Sequence, residues 1–197
     1  MGKRYERIDG RLREFILAQP VFFVGTAPGG AGGHLNISPK GLSGSFVVLD
    51  PLRVAFLDYG GSGAETIAHL RDDGRIVIMF CSFAGPPNIV RLHGHGRVHL
   101  QGDPRFAELL PIFAAARPGT RSIIEVEVSR VADSCGYGVP LMSNEGDRDL
   151  LTRYWERKSP EEIAEYRATR NATSIDGRPA IPVTDAGLTG RTTGPAG

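Results

Sequence analysis

Between Arg75 and Leu100 the chain reads RIVIMFCSF, breaks at AGPPN, and after Ile89 continues as VRLHGHGRVHL. Both runs are rich in β formers, and the break is too short to hold a crossover helix, so the two strands must pair antiparallel. The same pattern recurs along the chain. VFFVGT (Val21–Thr26) is a compact apolar run, and the APGGAGG turn leads into HLNISPKG (His34–Gly41), where Pro39 makes the end irregular or leaves it on an edge. Phe46 to Leu49 and Val54 to Asp58 flank an Asp50-Pro51 turn, and SIIEVEVSRV (Ser122–Val131) alternates strictly in its middle. A doubly wound parallel sheet would need a helix after nearly every strand. Here the links are short, so a small antiparallel barrel of about six strands with helices at its rim is expected. RIVIMFCSF is apolar at successive positions and should be buried on both faces.

Helical spacing appears in five places. Ile8, Leu12, Phe15 and Ile16 predict a helix over Glu6–Gln19, ended by Pro20. Ala64, Ile67, Ala68 and Arg71 share one face of a short helix that stops at Asp72-Asp73-Gly74. Phe106, Leu109, Leu110 and Phe113 predict a helix over Asp103–Ala116, broken or kinked by Pro111. Asp147–Lys158 and Ser159–Arg170 follow, the second with a capping box of Ser159 and Glu162 and with Pro160 at its first position. No internal repeat is present.

A chain of 197 residues with 41% hydrophobic and 23% charged residues can bury a full core as one soluble domain. A formal net charge of +1 gives no general attraction to nucleic acid. Two cysteines without a CxxC pair argue against a disulfide scaffold or structural zinc. The N-terminal stretch carries charges throughout, so neither a signal peptide nor a membrane span is expected, and a cytoplasmic location is the remaining reading.

Three stretches could carry chemistry. Gly60-Gly61-Ser62-Gly63 joins a strand to a helix, where free backbone N–H groups suit an anion; Ser62 and Thr66 add hydroxyls. The alternative is a turn with Ser62 as N-cap. Glu65 in the first helical turn would repel a phosphate. In NISPKG, alternation sets Asn36, Ser38 and Lys40 on one face, for a polar ring edge and a phosphate, or simply for solvent. In VRLHGHGRVHL, Arg91, His93, His95, Arg97 and His99 share one face. The two arginines oppose a metal ion, so an anionic ligand or a subunit partner fits that face better, and no metal is expected. Gly94 and Gly96 predict close approach of another group. Cys81, Tyr154 and Trp155 read as packing, and neither a Walker loop nor a GxSxG elbow is present.

HLNISPKG, FLDYGGSGAETIAHLRDDGRIVIMF and RLHGHGRV, in this order, resemble the pyridoxamine 5′-phosphate oxidase-like family, the FMN-binding split barrels, from about Val21 to Val131. The resemblance implies a mainly β, six-stranded antiparallel split barrel with peripheral helices, which forms a homodimer with FMN between the subunits. The chain then divides into a flavin-binding barrel (1–135), a helical extension (136–181) and a tail (182–197) that has no apolar periodicity and is expected to be disordered. Asn36, Ser38 and Lys40 would contact ring and phosphate, and Asp58, Ser62, Gly63 and Thr66 would hold the phosphate. The true oxidase has a Ser-Arg-Lys run at the helix start; here Ala64, Glu65 and Thr66 stand there, leaving Lys40 and Arg91 to neutralise the phosphate. Oxidation of pyridoxamine phosphate itself is therefore not implied. The implied activity is that of an FMN-dependent oxidoreductase on a small molecule, working through flavin N5 with no dedicated catalytic side chain. A deazaflavin-dependent reductase and a non-catalytic flavin-binding protein are the alternatives.

Overall fold

The computed structural model describes residues 2–182. The elements are β1 (Arg4–Tyr5), α1 (Gly10–Ala18), β2 (Phe22–Thr26), β3 (Asn36–Lys40), β4 (Phe46–Asp50), β5 (Arg53–Tyr59), α2 (Glu65–Asp72), β6 (Arg75–Cys81), β7 (Ile89–Leu100), α3 (Pro104–Leu109), β8 (Thr120–Ser134), α4 (Leu150–Glu156) and α5 (Pro160–Arg170). The strands form one sheet in the order β3-β2-β6-β7-β8-β5-β4, with β1 added to β8, and every pairing is antiparallel. The sheet has eight strands rather than the six expected. The runs read from the sequence all pair, including the short β3 and β4, and β1, two residues long with no readable period, is added to them.

An aromatic cluster rolls the sheet. Phe46 of β4, at one end of the strand order, lies 5.0 Å from Phe22 of β2 and 5.1 Å from Phe80 of β6, ring centre to ring centre. Phe56 of β5 joins them at 5.5 Å from Phe22. The two ends of the sheet therefore face each other, while β3 and β4 share no ladder among the described residues. The result is a barrel with a split. Val24, Ile78, Leu92 and Val126 fill its interior, and Leu12 and Ile16 of α1 join the same core. Each such side chain gains about 1.5–3 kcal/mol by leaving water. A second core lies outside the barrel, where Phe106 and Leu109 of α3 and Phe113 beyond it cover Leu57 and Ile123.

The helix boundaries follow the local chemistry. α1 starts at Gly10, later than the pattern suggests, because Asp9 caps it by accepting from Leu12 N at 2.8 Å. The helix predicted across Pro111 ends at Leu109, and Pro111 sits in a 3₁₀ turn, Leu110–Ile112. Both bonds of the capping box at α5 are present.

β6 corrects one expectation. Ile76, Ile78 and Phe80 are buried, but Val77 and Met79 on the other face are only half-buried. Among the described residues nothing covers that outer face fully, and Leu35 and Ile37 beside it are 78% and 74% exposed. The tail expected to be disordered lies, apart from Pro182, outside the described residues.

Candidate functional site

Alternation along β5 turns Val54, Phe56 and Asp58 inward, so a carboxylate ends the aromatic core. Asp58 has no solvent exposure. A charge so placed is costly unless it is paired and hydrogen-bonded. Two cations meet it. Lys40 shares a face with Phe22, its partner on β2, and its Nζ lies 2.8 Å from Asp58 Oδ1. Arg121 Nε donates to Asp58 Oδ2 at 2.7 Å, and Ser122 Oγ donates to the same oxygen at 3.2 Å. Burial would raise the Asp58 carboxyl, but the Lys40 ammonium and the Arg121 guanidinium outweigh it and hold it well below the usual carboxylate range.

A bulge explains how Arg121 reaches this position. Asp58 pairs with Ser122 and Tyr59 with Thr120, so Arg121 has no partner across the ladder. The extra residue re-aims its side chain inward beside Ser122. The sequence pattern hid Arg121 because simple alternation assigns it to the face opposite Ser122.

Asn36, Ser38 and Thr66 form an adjoining polar group. Asn36 Nδ2 donates to Thr66 Oγ1 and to Ser38 Oγ, both at 3.1 Å. Thr66 is buried in the first turn of α2, which fixes β3 against the start of that helix. Asn36, Ser38 and Thr66 are thus joined to one another, and Lys40 on the same strand face meets Asp58. Gly63 joins them through its carbonyl, which accepts from Arg121 Nη1 at 2.8 Å. Arg91 stands apart. Leu92 next to it is in the core, so Arg91 points to the outer face, where its Nη1 donates to Ser134 Oγ at 3.0 Å.

Ser62 does not cap α2. The helix begins behind Ala64 without a side-chain cap, and Ser62 is exposed. Ser62→Ala should therefore change folding stability by no more than about 0.5 kcal/mol in chemical denaturation. A loss of about 1 kcal/mol or more would restore the capping role.

One glycine of the turn, Gly60, has a local cause that sequence reasoning missed, whereas a Cβ on Gly61 would meet open space and one on Gly63 would meet Glu65 Oε2. A Cβ on Gly60 would lie 2.3 Å from Trp155 Cζ2, and one on Gly119 would lie 2.2 Å from Trp155 Cγ. The close neighbour is an indole from α4, wedged between two glycine backbones. Trp155 is packing, as its sequence context suggested, but it packs on the candidate site.

A groove of about 500 Å³ runs along the outer face of β2, β3, β6 and β7. Gly25, Ile37, Val77 and Gly94 line it, and Asn36 links it to the polar cluster. Its size is that of small-molecule sites. Farther along β7 the face expected to be cationic is mixed. His95 stands opposite Glu127 and Arg97 opposite Glu125. Glu125 also accepts from Arg105 Nη2 at 2.6 Å and lies 3.0 Å from His99 Nε2. The glycines of this strand do allow close approach: a Cβ on Gly94 would meet Glu127 O at 2.1 Å, and one on Gly96 would meet Leu70 Cδ2 at 2.9 Å.

Residues 8–135 match the family model described as pyridoxamine 5′-phosphate oxidase. A relative from Aspergillus flavus, the pyridoxamine 5′-phosphate oxidase family protein ustO, is 41% identical over 192 residues, covering 90% of this chain and 77% of that protein. Among solved structures, HupZ from Group A Streptococcus superposes with a TM-score of 0.51 at 22% identity, over 63% of this chain and 91% of its own. A histidine-to-alanine variant of HupZ gives 0.53 at 21% identity, over 64% and 99%.

Proposed function

The chain belongs to the pyridoxamine 5′-phosphate oxidase family, and from that premise we propose that it binds FMN and acts as a flavin-dependent oxidoreductase on a small molecule. The observation that carries this reading is the polar cluster at the start of α2, where Lys40 and Arg121 converge on Asp58 beside Thr66, Asn36 and Ser38. The donors fit a flavin phosphate. Lys40 and Arg121 supply charge, Thr66 and Ser38 supply hydroxyls, and the first turn of α2 supplies backbone N–H groups. Asp58 absorbs part of that charge and fixes the direction of both cations. Asn36 at the end of the groove would orient the ring edge. When bound, FMN supplies hydride transfer at N5. The protein's share is to bind, orient and keep the ring from water.

Glu65 and Thr66 occupy positions where the family's oxidase carries cations, so pyridoxamine phosphate is not the substrate proposed. The half-buried Val77 and Met79 with the exposed Leu35 and Ile37 support a homodimer that covers this face. Arg91 on that same face is in a position to serve the site of a second copy. The free cysteines Cys81 and Cys135 suit a reducing, cytoplasmic setting. No helix among the described residues is long and apolar enough to cross a membrane.

The first test is the visible spectrum of the purified protein, with mass spectrometry of whatever heat releases. A yellow protein that releases FMN supports the reading; a colourless protein that refuses added FMN sinks it. Lys40→Ala should weaken FMN binding about tenfold to a hundredfold, the range for one charge-assisted hydrogen bond, and Lys40→Arg should recover much of it. FMN affinity unchanged in Lys40→Ala would remove Lys40 from the phosphate site.

A further inference from the structure

One buried titratable side chain has no part in the phosphate cluster. His69 of α2 has no solvent exposure. Its Nδ1 lies 3.0 Å from Thr26 Oγ1, and its Nε2 is buried with no partner among the described residues. His69 stands three residues after Thr66, so the two share a helix face. Thr26 and Asn36 are the last pair of the β2–β3 ladder, so their side chains share a sheet face, and both residues line the groove. Helix α2 thus grips the end of that ladder twice, with Thr66 on Asn36 and His69 on Thr26.

The C-terminal segment closes over α2 from its entry turn to its end. Trp155 Nε1 donates to Gly60 O at 3.2 Å, and Asn171 Nδ2 donates to Gly61 O at 2.8 Å. Ile175 N donates to Glu65 Oε1 at 3.2 Å. Arg178 pairs with Asp72 and donates from Nη2 to Gly29 O at 3.1 Å. The charged groups around His69 are Glu65 and Asp72 of its own helix and Asp176 and Arg178 of this segment. Burial outweighs them and holds the imidazole below its ordinary pKa, so it is neutral at pH 7.

A neutral imidazole has one N–H and one acceptor nitrogen. A proton on Nε2 would leave a buried donor unpaired. A proton on Nδ1 is accepted by Thr26 Oγ1 and leaves only an acceptor unpaired, and orphaned buried N–H groups are the rarer fault. Nδ1–H therefore donates to Thr26. A hydroxyl that accepts from one neighbour keeps its own O–H for another, and among the described residues no acceptor takes it.

We propose that His69 makes the Thr26 hydroxyl a fixed hydrogen-bond donor toward the groove, and that Thr26 donates to an acceptor atom on the edge of the bound flavin ring beside Asn36. This rests on the FMN reading above. Thr26 is the contact, and His69 is a positioning residue. The carbonyl oxygens and ring nitrogens of a flavin edge gain negative charge when the ring takes up two electrons, and charged acceptors hold donors more strongly. The bond therefore favours the reduced ring and raises the flavin's potential.

The test begins with the protonation state, which needs no added cofactor. Nitrogen-15 NMR of His69 in the full chain as purified should show Nδ1 protonated and Nε2 bare, with no second proton taken up down to about pH 6. A proton on Nε2, or a charged ring at pH 7, overturns the proposal whatever the protein binds. The two-electron potential of bound FMN is then measured by dye-coupled titration, with a thermal melt for each variant. Thr26→Val keeps the shape of the side chain and removes the hydroxyl. It should weaken reduced FMN about tenfold relative to oxidised FMN, a fall of about 30 mV. His69→Leu, which frees the hydroxyl to turn, should give a smaller fall. His69→Asn, whose amide can still donate to Thr26, should restore the wild-type potential. The His69 pair decides the matter if Thr26→Val does not fold. A merely structural clamp would lower the melting temperature, or weaken both oxidation states together, and leave the potential unchanged; that outcome overturns the proposal. Wild-type protein that takes up no FMN overturns the flavin reading and this contact with it, a failure distinct from a wild-type potential that survives Thr26→Val.

Discussion

Asp58→Asn is expected to lower the free energy of unfolding by about 3–5 kcal/mol, the range for removing one partner of a buried ion pair. At this chain length that is a fall in melting temperature of roughly 6–20 °C. The loss arises less from the attraction removed than from the charge left behind. Arg121 has a side-chain exposure of only 4%, and without Asp58 its guanidinium has no carboxylate within reach among the described residues. Lys40 is freer, at 20%, and can turn toward water. The effect has a defined pH dependence. The folded carboxyl lies below its unfolded value, so its contribution is fully present above about pH 4 and is lost as pH falls toward the folded value. Wild type and Asp58→Asn should therefore converge in strong acid. Urea unfolding at pH 7 and pH 3 measures the trend: the difference should be smaller at pH 3, with convergence only at still lower pH. A difference below about 1 kcal/mol at neutral pH would mean that water or a rearranged Arg121 already compensates the charge.

Trp155→Ala should cost a similar amount, about 3–5 kcal/mol, by a different route. The indole is 2% exposed, and its ring stands edge-on to Tyr154 and Tyr166 at 5.0 and 5.1 Å. Its other neighbours are the backbones of Gly60 and Gly119, which cannot move in to fill a cavity without pulling the ladder between β5 and β8. Packing loss of this kind is insensitive to pH, so the destabilisation should be the same at pH 5 and pH 8. That contrast with Asp58→Asn separates the two mechanisms. Limited proteolysis of Trp155→Ala should cut first within residues 136–182. Cutting no faster than in wild type would show that the segment is held by its remaining contacts alone.

The barrel was legible in the sequence because its longest strands declare themselves. Their alternation survives in the sheet, and short links left antiparallel pairing as the one solution. Asn36, Ser38 and Lys40 were legible for the same reason, since a period of two assigns all three to one face. Asp58 could be placed on a strand, but its burial could not be read, because nothing nearby in the chain supplies its partners. Arg121 is 63 residues away and enters through a bulge, which breaks the rule that made the rest readable. Asn171 and Trp155 are harder still. Their role depends on which turn the C-terminal helices come to rest on, and local periodicity carries no such information. The glycines of the turn were noticed for their number; the group that approaches the first of them, Gly60, was a distant indole.

That separation along the chain has a consequence for the order of events during synthesis. Asn171 bonds a turn that was made 110 residues earlier. At a ribosomal rate of roughly 5–20 residues per second, the turn waits on the order of 5–20 s before the donor that closes it exists. The barrel can thus fold as a nascent chain with the mouth of its candidate site unfinished, and the site is completed only after synthesis has passed Asn171.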